Sequence, residues 1–310
     1  MRHKNKSTMR WRAGPSGLHL FDRRTGLNCL FDEVRVPSEK WARAPRHVAI
    51  ALTNACDLAC AFCYAPKEPA TLMLGQVSRW LAELDANGCL GVGFGGGEPT
   101  IHRRFSDICR YAAQETGLAI SFTTHGHHLL DGRLSAAIAG HVHFVRVSMD
   151  GVGRTYEAIR GRPFDAFLRC LGVVGALSRF GLNYVVNRHT LPDLDAAAGV
   201  AADSGASELL LLPEMPVRGG GGIDAATRSA LAAWVAAYRG PVPLVVGVSG
   251  ADGLPTCDPL PSETGLRAYA HIDAAGVLKA SSFDVHGVAI GQGGLIPAVR
   301  ALESQRGVLP

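Results

Sequence analysis

The chain has 310 residues, 47% of them hydrophobic and 19% charged, which is ample for a buried core and excludes a disordered protein. A formal charge of +4 is too mild to point to nucleic acid as a partner. Asp22, Arg23 and Arg24 interrupt the basic start before any apolar stretch, and no run reaches the ~18 apolar residues of a membrane helix, so a soluble, cytoplasmic protein is the expectation.

Arg2, His3, Lys4, Lys6, Arg10 and Arg12 crowd the first twelve positions and read as a solvated, frayed tail. Gly17–Val36 reads as a β-hairpin, with Leu18, Leu20, Leu30 and Phe31 flanking an Arg24-Thr25-Gly26 turn. From about residue 47 to 213, short apolar strands alternate with helical patterns. Strands are expected at His47–Thr53, Gly91–Gly95, Leu118–Thr124, His143–Met149, Leu182–Asn187 and Glu208–Leu212. Helices are expected at Ser78–Asn87, Phe105–Thr116, Arg133–Ala139, Phe164–Ser178 and Leu194–Ser204. Several of the strands are continuous apolar runs, as in a parallel sheet covered on both faces. Repeated β-then-α units demand right-handed crossovers and give either a barrel or a doubly wound sheet.

Gly219–Gly222 reads as a flexible connection, because no Lys-Ser/Thr follows to make a phosphate loop. Ala225–Tyr238 is a further helix, with Thr227, Leu231 and Trp234 turned inward, and Pro241–Val248 a seventh strand. A second hairpin pairs Ala268–Ile272 with Val277–Ser281 across Asp273-Ala274-Ala275-Gly276, and a last helix covers Leu295–Glu303. The chain divides into residues 1–45, 46–250 and 251–310.

Of eight cysteines, Cys29, Cys89, Cys109, Cys170 and Cys257 stand singly, as small buried hydrophobes do. Cys56, Cys60 and Cys63 form C-x₃-C-x₂-C directly after the first core strand. Clustered thiolates are ligands for zinc or iron–sulfur. A structural zinc site wants four ligands, yet no fourth Cys or His lies near; the next His is His102. Three thiolates on a four-iron cluster leave one iron open, and an open position is what chemistry requires. Downstream, Gly91, Gly93 and Gly96 formally fit G-x-G-x-x-G with Glu115 about twenty residues on. The glycines lie within the strand and Glu98-Pro99 follows them, so the context is wrong for a dinucleotide fingerprint.

The cysteine spacing, together with Gly95-Gly96-Gly97-Glu98-Pro99 at the end of the second core strand, resembles the radical S-adenosylmethionine (SAM) superfamily. The resemblance implies an α/β fold, a partial (β/α)₆ barrel open on one side, with an N-terminal β-hairpin and a small C-terminal α+β extension. It implies one [4Fe–4S] cluster on Cys56, Cys60 and Cys63, with SAM on the open iron. Reductive cleavage of SAM would give a 5′-deoxyadenosyl radical that abstracts hydrogen from substrate. Gly95, Gly96, Gly97 and Glu98 would hold the ammonium of SAM, and Phe62 would pack near its adenine.

Thr123-Thr124-His125-Gly126 and Ser148-Met149-Asp150-Gly151 resemble further strand-end patterns of the family, which implies SAM contacts for Thr124 and Ser148. Asn187, at the fifth strand end, would reach the ribose or carboxylate. The loop histidines His125, His127 and His128 read as solvated rather than as a second metal site. Glu214 follows the sixth strand and could face substrate or cap a helix. Arg160 and Arg162, after Tyr156, resemble an arginine region of peptide-modifying members, with salt-bridge duty as the alternative.

The C-terminal hairpin resembles the SPASM or Twitch extensions that bind auxiliary clusters. Ser281 and Ser282 stand where a ligand would be expected, and Cys257 alone cannot hold a cluster, so none is predicted there. The resemblance implies an electron donor such as flavodoxin or ferredoxin. It leans to a peptide or protein side chain as substrate. The alternatives are a small metabolite or nucleotide, or a non-catalytic iron–sulfur or zinc sensor module.

Overall fold

A computed structural model describes residues 7–217, 221–247, 250–257 and 260–307. Arg2, His3, Lys4 and Lys6 of the basic start, Gly219 and Gly220 of the glycine run, and Val248 at the end of the seventh expected strand lie outside the described residues. No helix among the described residues is long and apolar enough to cross a membrane.

Three antiparallel strands open the chain: β1 (Met9–Gly14), β2 (Gly17–Asp22) and β3 (Asn28–Phe31). The expected hairpin is β2–β3. The strand β1 was not anticipated, and its arginines are not a frayed tail. Arg12 is 3% exposed and donates to Glu263 and to the carbonyls of Ala44, Gly88 and Arg267. Arg10 pairs with Asp85, and Arg23 reaches the carbonyls of Thr116 and Leu118. The guanidiniums therefore dock the small sheet on the rest of the protein.

The main sheet runs β4 (His47–Thr53), β5 (Gly91–Gly96), β6 (Ala119–Thr124), β7 (Phe144–Ser148), β8 (Phe180–Val186), β9 (Leu209–Pro213) and β10 (Leu244–Val246), each parallel to the next. From β4 to β10 the spatial order follows the chain order. These seven strands therefore wind in one direction, as in a partial barrel and unlike the two opposed halves of a doubly wound sheet. The helices α1 (Leu74–Ala86), α2 (Phe105–Glu115), α3 (Gly132–Ile138), α4 (Arg154–Arg160), α5 (Phe164–Leu177), α6 (Leu194–Asp203) and α7 (Ala225–Ala237) lie between the strands, one to each connection except β7 to β8, which carries both α4 and α5. Two differ from expectation. α1 begins four residues early, where the Gln76 side chain accepts from the backbone N–H of Met73. α4, a seven-residue helix between Gly153 and Gly161, is too short to show a period, yet its Tyr156 is fully buried.

After α7 the chain returns to the first core strand. β11 (Tyr269–Ile272) pairs parallel with β4, β12 (Val277–Lys279) pairs antiparallel with β11, and β13 (Val288–Ala289) pairs with β12. The second hairpin is thus a continuation of the main sheet. α8 (Leu295–Gln305) closes the chain, with Glu83 of α1 accepting from the first two backbone N–H groups of α8 at 2.7 and 2.8 Å.

One face of the sheet is apolar and covered by helices: Val48, Ile50, Leu52, Val92, Phe94, Ile120, Phe122, Val145 and Val147 are all buried, and Phe105 of α2 meets Phe122 edge-on. The register sends the alternate residues to the other, inner face. There His47, Ala49, Gly93, Gly95, Ser121, Thr123, Arg146 and Ser148 are half-buried, and Ala51 lies among them. Small and polar side chains predominate on this inner face. Arg146 lies on it, ion-paired to Glu208 and 3.4 Å from Asn183 Oδ1.

Two predictions follow from this packing. Arg12→Ala removes one of the two guanidiniums on buried Glu263, leaving Arg46 at 3.0 Å, and strips the donor from three carbonyls; it should cost about 1–3 kcal/mol, read as a lowered midpoint of chemical denaturation. The second concerns His47, His143 and His271, whose imidazoles burial holds down at about 4. They are neutral in the fold, whereas the unfolded chain protonates them near their ordinary value of about 6.5. Unfolded protein therefore binds more protons between those values. Stability should be full above about pH 6.5 and fall as pH drops toward 4. A denaturation midpoint that stays flat across that window would contradict the assignment.

Candidate metal and cofactor site

At the end of β4 the chain leaves the sheet and carries Cys56, Cys60 and Cys63 across the strand C-termini. The loop returns where Thr53 bridges Thr71 antiparallel, with the Thr53 and Thr71 hydroxyls 2.9 Å apart. Asn54 fastens the neck, its N–H on Ala70 O at 3.0 Å and its amide on Glu68 O at 2.8 Å. All three thiols are free and half-buried. Burial pushes those of Cys56 and Cys60 up from the ordinary thiol value, so metal binding must release their protons.

Backbone contacts from β5 hold the loop. Gly97 N–H donates to Thr53 O at 2.7 Å, and Glu98 N–H to Ala55 O at 2.8 Å. Such approach requires glycine. A Cβ on Gly96, which has φ of +130°, would lie 2.1 Å from Thr53 O, and one on Gly97 would lie 2.3 Å from Ala55 O. Gly95 differs, with nothing within 4 Å of its Cβ position. Gly96 and Gly97 thus serve the cysteine loop itself, while Gly95 is the glycine that borders open space.

Glu98 is 1% exposed and its carboxylate is filled by donors of the protein. Oε1 accepts from Thr100 N at 3.1 Å, Thr100 Oγ1 at 2.6 Å and Thr124 Oγ1 at 2.8 Å. Oε2 accepts from His125 N at 3.0 Å, with His125 Nε2 at 3.3 Å. A buried carboxylate demands such satisfaction. Glu98 is a strut between the ends of β5 and β6.

Asp57, inside the cysteine motif, forms a second tie. It contacts His125 Nε2 at 2.9 Å, His128 Nε2 at 3.3 Å and Arg162 at 2.9 Å. Partial burial opposes its charge, but these partners, His125 foremost, hold its carboxyl down at about 2. The histidine loop is therefore not simply solvated: His125 is 3% exposed. His127 Nε2 lies 3.0 Å from the Tyr156 hydroxyl, and burial lowers its imidazole to about 4. A third tie reaches Cys60, whose Sγ is 3.5 Å from Arg160 Nη1. Arg160 is ion-paired to buried Asp150.

The remaining expected residues surround the same strand ends. Ser148 lies on the inner face and Phe62 is half-buried in the cysteine loop. Thr124 is 2% exposed and turned into the Glu98 network, also accepting from Gly126 N–H. The inner-face residue of that strand end is Thr123. Asn187 is spent locally: Oδ1 accepts from His189 N and Thr190 N, and Nδ2 donates to Glu214 Oε2 at 2.7 Å. Cys89, Cys109 and Cys170 are buried singles, whereas Cys257 is exposed. Thr123 could have been found from the period of two shared with Ser121. Asp57 and the Arg160 contact to Cys60 depend on chain segments distant in sequence and gave no signal.

The donor set fits an iron–sulfur cluster. Among the described residues, the donors that converge within 4.8 Å are Cys56, Asp57 and His125, not the three thiols. Sulfurs around one tetrahedral zinc would lie about 3.8 Å apart, so the three thiols are not gathered for a single zinc ion. Arg160 Nε is buried without an acceptor, an orphaned donor that a sulfide-rich group would satisfy.

Substitution at adjacent glycines should separate the roles. Gly96→Ala forces backbone off Thr53 O, costs about 1–3 kcal/mol and should sharply lower iron uptake on anaerobic reconstitution. Gly95→Ala should leave iron uptake near wild type. Equal losses in both would remove the distinction.

Residues 50–194 match the sequence profile of the radical SAM superfamily. A mycofactocin maturase of Mycolicibacterium smegmatis is 30% identical over 179 residues, 54% of this chain and 45% of the relative. A PqqA peptide cyclase of Ruegeria pomeroyi is 30% identical over 174 residues, 54% of this chain and 46% of the relative. A GTP 3′,8-cyclase of Chlorobaculum tepidum is 32% identical over 123 residues, 38% of this chain and 37% of the relative. The chain thus matches less than half the length of these relatives. The crystal structure of Streptococcus suis SuiB bound to precursor peptide SuiA is similar in fold, with a TM-score of 0.73, 12% identity, and coverage of 94% of this chain and 86% of SuiB.

Proposed function

We propose that the chain is a radical SAM enzyme, using the [4Fe–4S] cluster and SAM of the superfamily whose profile residues 50–194 match, and that it abstracts hydrogen from a peptide or protein side chain. The observation that carries this reading is the braced loop of three free thiols at the strand C-termini, beside a glycine that borders open space. Cys56, Cys60 and Cys63 would hold the cluster. When bound, the cluster and SAM supply a radical able to take hydrogen from an unactivated C–H.

The protein's own part is to bind, orient and exclude water. Gly95 offers open backbone to the SAM ammonium, with Gly96, Gly97 and Glu98 fixing its place. Ser148 and Thr123, on the inner face, would offer hydroxyls to SAM, and Phe62 an aromatic surface. Thr124 and Asn187 act through the turns they build. Substrate would approach the inner face from the open side of residues 46–250, against the segment 251–310. A low-potential donor such as flavodoxin or ferredoxin would deliver the electron in the cytoplasm.

The peptide reading is supported by the PqqA peptide cyclase relative and by the likeness in fold to SuiB, which holds a precursor peptide. The GTP 3′,8-cyclase relative favours a nucleotide as the second reading, over a shorter match.

Protein reconstituted anaerobically with iron and sulfide, then given dithionite and SAM, should yield 5′-deoxyadenosine by mass spectrometry. Cys60→Ala should abolish it. No product from protein with an intact cluster absorption would overturn the enzymatic reading and favour a sensor. Enhanced product with peptide and not with GTP would separate the two substrates.

A further inference from the structure

Arg160 is held more firmly than loop attachment alone explains. It ends α4, whose Tyr156 is fully buried against Phe164 and Phe167, and Gly161 turns the chain sharply after it in the left-handed conformation. Its side chain is 11% exposed and ion-paired to Asp150, which is 1% exposed. Asp150 is fixed in turn by the backbone N–H of Val185 at 2.7 Å. The guanidinium is thereby aimed at Cys60, with Nη1 3.5 Å from Sγ. The motif requires Cys60 only as a ligand; nothing in it requires a charged donor on that sulfur.

We infer that Arg160 is a positioning residue that sets the reduction potential of the cluster through its hydrogen bond to Cys60, with Asp150 as its counterweight. The inference rests on the cluster assignment of the proposed function. One electron passes from the external donor to the cluster, no bond to protein forms or breaks, and the added negative charge is shared by the ligand sulfurs. A donor and a positive charge on one of those sulfurs stabilise the reduced form. Asp150, buried behind the guanidinium, opposes it.

Opposite charge changes should therefore move the potential in opposite directions. Arg160→Gln leaves the Asp150 carboxylate unopposed and should make the cluster harder to reduce. Asp150→Asn keeps an oxygen for Val185 N–H, frees the arginine's charge and should make it easier to reduce. Each change should alter the ratio of reduced to oxidised cluster at fixed potential by about tenfold, or 59 mV for one electron. Arg160→Lys, which keeps the charge, should lie between wild type and Arg160→Gln.

The readout is a potentiometric titration of the reconstituted cluster followed by electron paramagnetic resonance, which needs no substrate. Opposite shifts support the inference. Unmoved potentials, shifts of the same sign, or failure of Arg160→Gln and Asp150→Asn to load iron would assign the pair a purely structural role and overturn it. In those cases a loaded wild type leaves the proposed function standing. A wild type that takes up no cluster would remove both.

Discussion

Two backbone hydrogen bonds, from Gly97 to Thr53 and from Glu98 to Ala55, bring the cysteine loop into direct contact with the end of the neighbouring strand. Everything else at the strand C-termini depends on that approach. It leaves no room for a side chain at residues 96 and 97, and it delivers Glu98 into a buried position between β5 and β6. Once buried, the carboxylate must find donors. It takes Thr124 from the adjacent strand and His125 from the loop beyond. His125 in turn meets Asp57, which lies inside the cysteine motif. The circuit closes on the loop where it began, so the thiols are presented by a frame and not by a free segment.

This circuit redistributes the roles that residue types alone suggest. Gly-Gly-Glu reads as a ligand cradle, yet two of its three glycines and its acid are used on the protein itself. What is left facing the inner side is the open backbone at Gly95 and the inner-face positions of Thr123 and Ser148. The division follows from geometry, because parallel strands send alternate residues to opposite faces. Thr124 belongs to the helix-covered side and Thr123 to the inner face.

How much was legible in the sequence followed the physical origin of each signal. The six core strands and most helices are local patterns of apolar residues, and their boundaries agree within a few residues, as at His47–Thr53 and Phe105–Glu115. The cysteine spacing is likewise local. β1 was missed because its pattern, Met9 to Gly14, alternates arginine with apolar residues, and those arginines become buried only by reaching Asp85 and Glu263 far along the chain. The histidine loop was misread for the same reason. A run of polar residues looks solvated until its partners are known, and Asp57 lies 68 residues from His125.

The C-terminal hairpin has a structural duty of its own. β11 pairs along β4, the strand that launches the cysteine loop. Without β11, β4 would be an edge strand with unpaired backbone groups, exposed to slippage and aggregation. A one-residue slip there would turn His47 and Ala49 into the helix layer and shift the whole loop. The hairpin is itself braced, with α8 fastened to Glu83 and Gly276 against the ring of Trp80. It also brings Phe283 within 5.1 Å of Tyr64, next to Cys63. Completing the sheet beside the cysteine loop is a mechanical duty that needs no metal. Ser281 and Ser282 lie in a segment whose register is set by β4 and which is held beside the cysteine loop by the contact of Phe283 with Tyr64.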